Sequence, residues 1–313
     1  MARLPLNTLA AFRAVAEVQN LRAAADTLHL THSAVSQQIR GLEEHLGFDL
    51  FDRRGRRVVL NAAGQALLRS VQGALAQLDD GVQAAAAAAS GSSQRLRVTV
   101  LPSFAQRWLL PRIGRWREQY PNLALEIDAS INAVDILREG IHAAIRQGVG
   151  PWSGLESERL FDKPPMIVVG SPSAARRLSG AQPEALAREP LLGDADLWRD
   201  WFEAAGLRTN VTTVAVFNDA GLMLQATEQN LGLALSREIL AADALCDGRL
   251  VQLSPVTIVH EYAQPYHFVY PPSLRTWPPL LALRQWLRDE LDASYKALQA
   301  RSAPGKRARK RGT

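Results

Sequence analysis

The chain has 313 residues, 47% hydrophobic and 21% charged, the balance of a globular protein of two or three domains. No apolar run reaches the roughly 20 residues of a membrane span, the opening MARLPLNTLAAF lacks a signal-peptide layout, and the single Cys246 excludes an internal disulfide, so a cytoplasmic chain with no membrane partner is expected. The net charge of +5 belongs to the last 13 residues, which hold six Arg or Lys and no acid; without them 30 basic residues face 31 acidic ones, and total charge does not argue for nucleic acid.

Residues 6–18 place Leu6, Leu9, Phe12 and Ala16 on one stripe, which predicts a helix. Asn20 suits the cap of a short helix at 21–28, and Thr31 the cap of a third, with Val35, Ile39, Leu42 and Leu46 inward and Gly47 as its stop. Ala23, Ala24 and Ala25 permit close helix crossing. The outer face of the third helix carries His32, Ser33, Ser36, Gln37 and Arg40, while its acids, Glu43 and Glu44, are held back to the C-terminal half. An acid-free helix start suits a phosphate. Small polar side chains there fit the about 12 Å wide major groove, where Gln can pair with adenine. A plain structural hairpin is the alternative. FDLFDRR and RVVLN read as two short strands around the Arg54-Gly55 turn, and Arg53, Arg54, Arg56 and Arg57 there make a basic wing.

A long helix follows. Leu68, Val71, Leu75, Leu78 and Val82, continued by Ala85 and Ala89, step by three and four, the seam of a coiled coil rather than a stripe packed on its own domain. A homodimer is therefore expected. SGSSQ at 90–94 reads as a hinge.

Strands and helices then alternate. Strands are predicted at 96–101, 123–128, 142–148, 165–170, 212–217, 231–236 and 267–271. Helices are predicted at 104–120, divided by Pro111, over VDILREG at 134–140, and over the C-terminal segment from Pro278. Such alternation predicts a mostly parallel sheet covered on both faces, folded as two α/β lobes with a cleft. LPSFAQ ends a strand and opens a helix, which turns Ser103 and the N–H groups of Phe104 and Ala105 toward the cleft, a setting for a carboxylate or other small anion. VFNDAG repeats the layout with Asn218 and Asp219, and RQGVGPW offers Gln147, Gly148 and Trp152. The alternatives are helix capping for Ser103 and Asn218, and core packing for Trp152.

The residues RAAADTLHLTHSAVSQQIRGLEEHLGFDLFDRR with VVLNAAGQALL resemble the winged helix-turn-helix and linker-helix start of LysR-type transcriptional regulators. The resemblance continues through VTVLPSFAQRWLLPRIGRWREQYPNLALEI, IRQGVGPWSGL and LMLQATEQNLGLAL. It points to the subgroup containing the glycine-cleavage activator and the β-lactamase-inducing regulator. His32 stands where the family commonly has Gln, and Asn61 where it commonly has Thr.

This resemblance implies an α+β winged helix-turn-helix domain (1–61), a coiled-coil linker helix with its hinge (62–93), and an α/β, two-lobed, periplasmic-binding-protein-like effector domain (94–300). Lobe I would be 94–163 with 267–300, lobe II 164–266, and 301–313 a disordered basic tail. It also implies double-stranded operator DNA with inverted repeats, a homotetramer made of dimers, and a small-molecule effector in the cleft lined by the positions named above.

An enzyme is not expected. The six histidines (His29, His32, His45, His142, His260, His267) complete no zinc set, and no nucleophile elbow, P-loop or dinucleotide glycine motif is present. No cofactor or metal is expected. A free solute-binding protein would be monomeric, and a nucleoid-type binder would leave the cleft unexplained.

Overall fold

Local capping sets the second and third helices. The computed structural model describes residues 5–54, 57–90, 94–132, 136–137, 139–162, 165–178, 180, 182–260 and 264–302. It divides into two compact units, 1–92 with 135–141, and 93–134 with 142–313.

In the first unit, α1 (Leu9–Val18), α2 (Leu21–Thr27) and α3 (His32–Leu46) surround a core of Phe12, Val15, Ala24, Ala25, Val35, Ile39 and Leu42. Asn20 Oδ1 accepts the N–H groups of Arg22 and Ala23 at the start of α2. Thr31 Oγ1 accepts that of Ala34 at the start of α3, and Gly47 ends α3 at φ +79°. His29 takes φ +55°, which closes the turn between α2 and α3 in so few residues. Leu6, expected on the buried stripe, is 69% exposed because it lies on a 3-10 turn ahead of α1. Ala23 is exposed too, so Ala24 and Ala25 alone make the close crossing. β1 (Phe51–Arg54) and β2 (Arg57–Leu60) pair antiparallel, Arg54 opposite Arg57.

α4 (Ala62–Ser90) is the long helix, and its seam divides in two. Val71 is buried in the core of its own unit, with Leu68 and Leu75 packed against it, contrary to a seam free along its whole length. Leu78 and Val82 are 62% and 68% exposed. The first half of the stripe thus serves the helix-turn-helix core, and the second half remains free.

The second unit holds two mixed sheets. In the first, β3 (Gln94–Val100) lies between β4 (Leu123–Ala129) and β5 (Ala143–Gln147), both parallel to it; β11 (Tyr266–Tyr270) then pairs antiparallel with β5 and with β6 (Glu156–Phe161). Between β3 and β4 run α5 (Pro102–Phe104), a π turn (Ala105–Leu109), a 3-10 turn (Leu110–Arg112) and α6 (Ile113–Gln119). Pro111 explains this broken helix: it lacks the N–H that would bond one turn back, and its ring crowds that turn's carbonyl.

The second sheet has the order β10-β7-β9-β8, from β7 (Met166–Gly170), β8 (Leu191–Leu192), β9 (Leu233–Arg237) and β10 (Val251–Ile258). α7 (Pro172–Arg177), α8 (Pro183–Leu186), α9 (Ala195–Ala204), α10 (Ala220–Glu228), α11 (Glu238–Asp247) and α12 (Pro278–Ser302) complete the unit. Only β8 and β9 pair parallel in this sheet, so the expectation of a mostly parallel architecture is corrected. Residues 212–217 are not a strand; they make one bridge, Ala215 to Leu192, because β8 is two residues long and offers little to pair with. Of the helix expected over 134–140, Ile136, Leu137, Glu139 and Gly140 lie in turns instead, and Val134, Asp135 and Arg138 lie outside the described residues.

Side chains alternate across β7 and β9. Ile167, Val169 and Ala234 enter a core shared with β3, β11, α11 and α12, whereas Val168, Leu233 and Leu235 pack with Trp198, Trp201 and Phe202 on the other face.

Candidate functional site

α3 presents the first candidate surface. His32, Ser33, Gln37 and Arg40 are exposed and Ser36 is half-buried, while Val35, Ile39 and Leu42 point inward. Its first turn holds no acid. The Ser33 and Thr31 hydroxyls share a 3.0 Å hydrogen bond, which leaves His32, Ser36, Gln37 and Arg40 as the outward polar set. Glu43, read from sequence only as an acid held back, is a structural clamp: its Oε1 accepts the N–H groups of Leu50 (2.8 Å) and Phe51 (3.3 Å) and fixes β1 to α3. Arg56 lies outside the described residues, as do the side chains of Arg53, Arg54 and Arg57.

The second candidate is the cleft of the second unit. Leu101, not Ser103, is the cap residue of α5, and Pro102 fills the first helical position. Ser103 is buried and makes no hydrogen bond through its hydroxyl among the described residues, so helix capping does not account for it. The N–H of Ala105 is engaged with Leu101 O at 2.9 Å, which corrects the expectation that it faces the cleft free. Phe104 contributes its ring to the core, stacked on Trp108 at 4.8 Å and tilted against Tyr266 at 5.6 Å.

Asp219 is the cap of α10, its Oδ1 accepting from Gly221 (2.8 Å) and Leu222 (3.1 Å). Asn218 beside it is exposed and caps nothing. Both line a cavity of about 240 Å³ at the ends of β8 and β9, together with Asp194, Phe217, Arg237 and His260. Ser103, Gln147, Gly148 and Trp152 are not in its wall. Gln147 Nε2 donates to Gln264 O, and the Gly148 N–H to Pro265 O, both at 3.1 Å, which ties that loop to the start of β11. Trp152 is half-buried, lies over Gly150, and packs on His267 with ring centroids 4.8 Å apart.

Three further residues carry no sequence signal. Gln106 reaches the first turn of α10, where a Cβ on Gly221 would meet its Oε1 at 2.3 Å; this brings the Ser103 helix start beside the Asp219 one. Tyr266 is buried between them, and desolvation holds its hydroxyl pKa above the usual value, with Arg237 pulling it down and Asp219 pushing it up. Arg237 is part of the cavity wall. Tyr266 opens β11 and Arg237 ends β9, both apolar-looking strands, and only tertiary proximity marks them. Two ion pairs also join the lobes, Arg107 with Glu228 and Arg112 with Asp243, and Arg249 from Glu228's own lobe shares that carboxylate. No helix among the described residues is long and apolar enough to cross a membrane.

The chain matches known proteins along nearly its whole length. Residues 6–65 match the bacterial regulatory helix-turn-helix protein, lysR family, and residues 89–292 match the LysR substrate binding domain. The glycine cleavage system transcriptional activator of Escherichia coli (strain K12) is 32% identical over 304 residues, 95% of this chain and 97% of that protein. The HTH-type transcriptional activator AmpR of Citrobacter koseri is 34% identical over 290 residues, 91% of this chain and 98% of that one. Among solved structures, the effector domain of AmpR of Pseudomonas aeruginosa is 30% identical with a TM-score of 0.54, covering 66% of this chain and 99% of that one. ArgP from Mycobacterium tuberculosis shares the fold over 90% of this chain and 96% of its own, at 23% identity and a TM-score of 0.60. A helix-turn-helix with an outward polar helix, a linker helix and a two-lobed domain are thus joined in the order that these relatives share, and the chain belongs to the LysR family of transcriptional regulators.

Proposed function

We propose that this regulator binds an inverted-repeat operator as a homodimer, places α3 of each protomer in successive major grooves about 34 Å apart, and assembles further into a tetramer. The observation that carries the reading is the two-faced α3: Val35, Ile39 and Leu42 buried, His32, Gln37 and Arg40 exposed. Relatives named as transcriptional activators favour activation as the outcome. The effector is a small molecule, a carboxylate or other small anion, held in the cavity that Asn218 and Asp219 line. It acts by differential affinity for two arrangements of the lobes.

Footprinting of the purified chain on its own upstream region tests the DNA reading. Gln37→Ala should relax base preference at one position per half-site, by about 1–3 kcal/mol. An unaltered preference would remove Gln37 as a reader, and the absence of any footprint would end the operator proposal.

Dimerisation falls to the free half of the α4 stripe. Leu78→Glu with Val82→Glu should raise the dimer dissociation constant at least about tenfold, about 1.4 kcal/mol, in sedimentation equilibrium. A dimer as tight as the parent's places the pairing surface elsewhere.

A further inference from the structure

We propose that Arg237 selects a small organic carboxylate in the cavity at the ends of β8 and β9; this rests on the effector-binding reading of that cavity and deepens it.

The partly buried arginines of this domain are otherwise engaged. Arg107 pairs with Glu228, Arg112 with Asp243, and Arg146 donates to Thr99 Oγ1 and Ser130 O. Arg237 makes no hydrogen bond or ion pair through its side chain among the described residues, and its Nε is buried without an acceptor. A guanidinium N–H shut away from water without an acceptor is costly, and natural chains retain one where a partner arrives from outside.

The acids in the same wall do not supply that partner. Asp219 gives Oδ1 to two N–H groups of α10, and Asp194 gives Oδ1 to two N–H groups of α9. The next residue, Glu238, is half-buried, and desolvation raises its pKa, which weakens it as a counter-charge. Arg237 also occupies the cap position of α11, where the helix end is itself positive and a cation is disfavoured. An anion in the cavity offsets both charges at once. Leu197, Trp198, Phe217 and Met223 make much of the remaining wall apolar. The complement is a carboxylate on a short apolar body, and about 240 Å³ sets its size at that of a small metabolite.

The test uses the purified full chain and straight-chain carboxylates of about three to eight carbons, with the matching primary amides as neutral controls. Saturating carboxylate should raise the melting temperature by about 4 °C or more, and the amides should not. Arg237→Gln should abolish that rise, and Arg237→Lys should keep part of it. Without any ligand, Arg237→Gln should melt at the parent's temperature or higher, since it removes an unpaired charge; a fall of about 4 °C or more would make Arg237 structural and overturn the proposal. Equal stabilisation of parent and Arg237→Gln overturns the role of Arg237 while leaving the cavity a ligand site. Stabilisation by no carboxylate overturns the ligand class. A carboxylate that stabilises the parent through Arg237 but leaves operator affinity unchanged defeats the effector reading itself.

Discussion

Gly64→Ala should destabilise the DNA-binding unit by about 2–3 kcal/mol, although alanine is ordinarily the better helix former by about 1 kcal/mol. The first turn of α4 is pinned to the approach of β1. Asn61 Nδ2 donates to Asp49 O (2.7 Å), Asn61 N–H to Leu50 O (3.0 Å), and Asn61 Oδ1 accepts the Gly64 N–H (2.8 Å). These bonds draw the Leu50 carbonyl over Gly64, where a Cβ would lie 2.1 Å from Leu50 O and 2.6 Å from Leu60 Cδ2. A leucine methyl can swing aside, but a carbonyl held by Asn61 cannot, so the clash outweighs the propensity gain. Gly41, which has nothing within 4 Å of its added Cβ, is the control: Gly41→Ala should be neutral or stabilising by up to about 1 kcal/mol without DNA. All seven tryptophans lie beyond residue 100, so Gly64→Ala should shift the far-UV circular dichroism transition and leave the tryptophan fluorescence transition in place. An unshifted transition would mean that the linker helix does not sit against Leu50 in solution.

Arg112→Ala should weaken the effector domain by about 3 kcal/mol, read in that tryptophan transition. The guanidinium is buried. It grips Asp243 through two bonds of 2.7 and 2.8 Å, donates to Trp108 O (2.7 Å) and Ser294 Oγ (3.0 Å), and stacks 4.7 Å over the Trp108 ring. Its removal leaves several polar groups without their donor. Two features keep the loss from the top of the usual range: Asp243 is a third exposed, and Glu290 retains Arg115 at 2.5 Å. Arg115 is more than half exposed, so Arg115→Ala should cost only about 0.5 kcal/mol. Equal losses in the two variants would mean that burial at Arg112 is not what makes this network strong.

The helix-turn-helix was legible because its signals are local. Asn20, Thr31 and Gly47 lie within a few residues of the groups they bond, and the inward stripe of α3 follows the helical period. The mixed sheets were not legible, since strand direction depends on partners far along the chain. β6 (ESERLF) is polar and half-exposed, and gave little pattern. TTVAVF has strand composition but only the end of a two-residue neighbour beside it. Asn218 and Asp219, expected from a strand-to-helix turn, line the cavity, whereas Ser103 does not, and Arg237 in the same wall carried no sequence signal. Arg237 is notable for an Nε that lacks a partner among the described residues, and a missing partner is visible only in three dimensions.

The core that runs through both sheets limits what a ligand can do to this domain. Ile239, Leu240 and Leu245 of α11 lie in the same cluster as Trp108, Leu283 and Trp286. Swinging the halves wide apart would wet several of these side chains at about 1.5–3 kcal/mol each, more than a small metabolite's preference for one state over another can offset. Occupancy must therefore be registered as a slide of about an ångström or two between the two packed sheets, rather than as the snap of a trap.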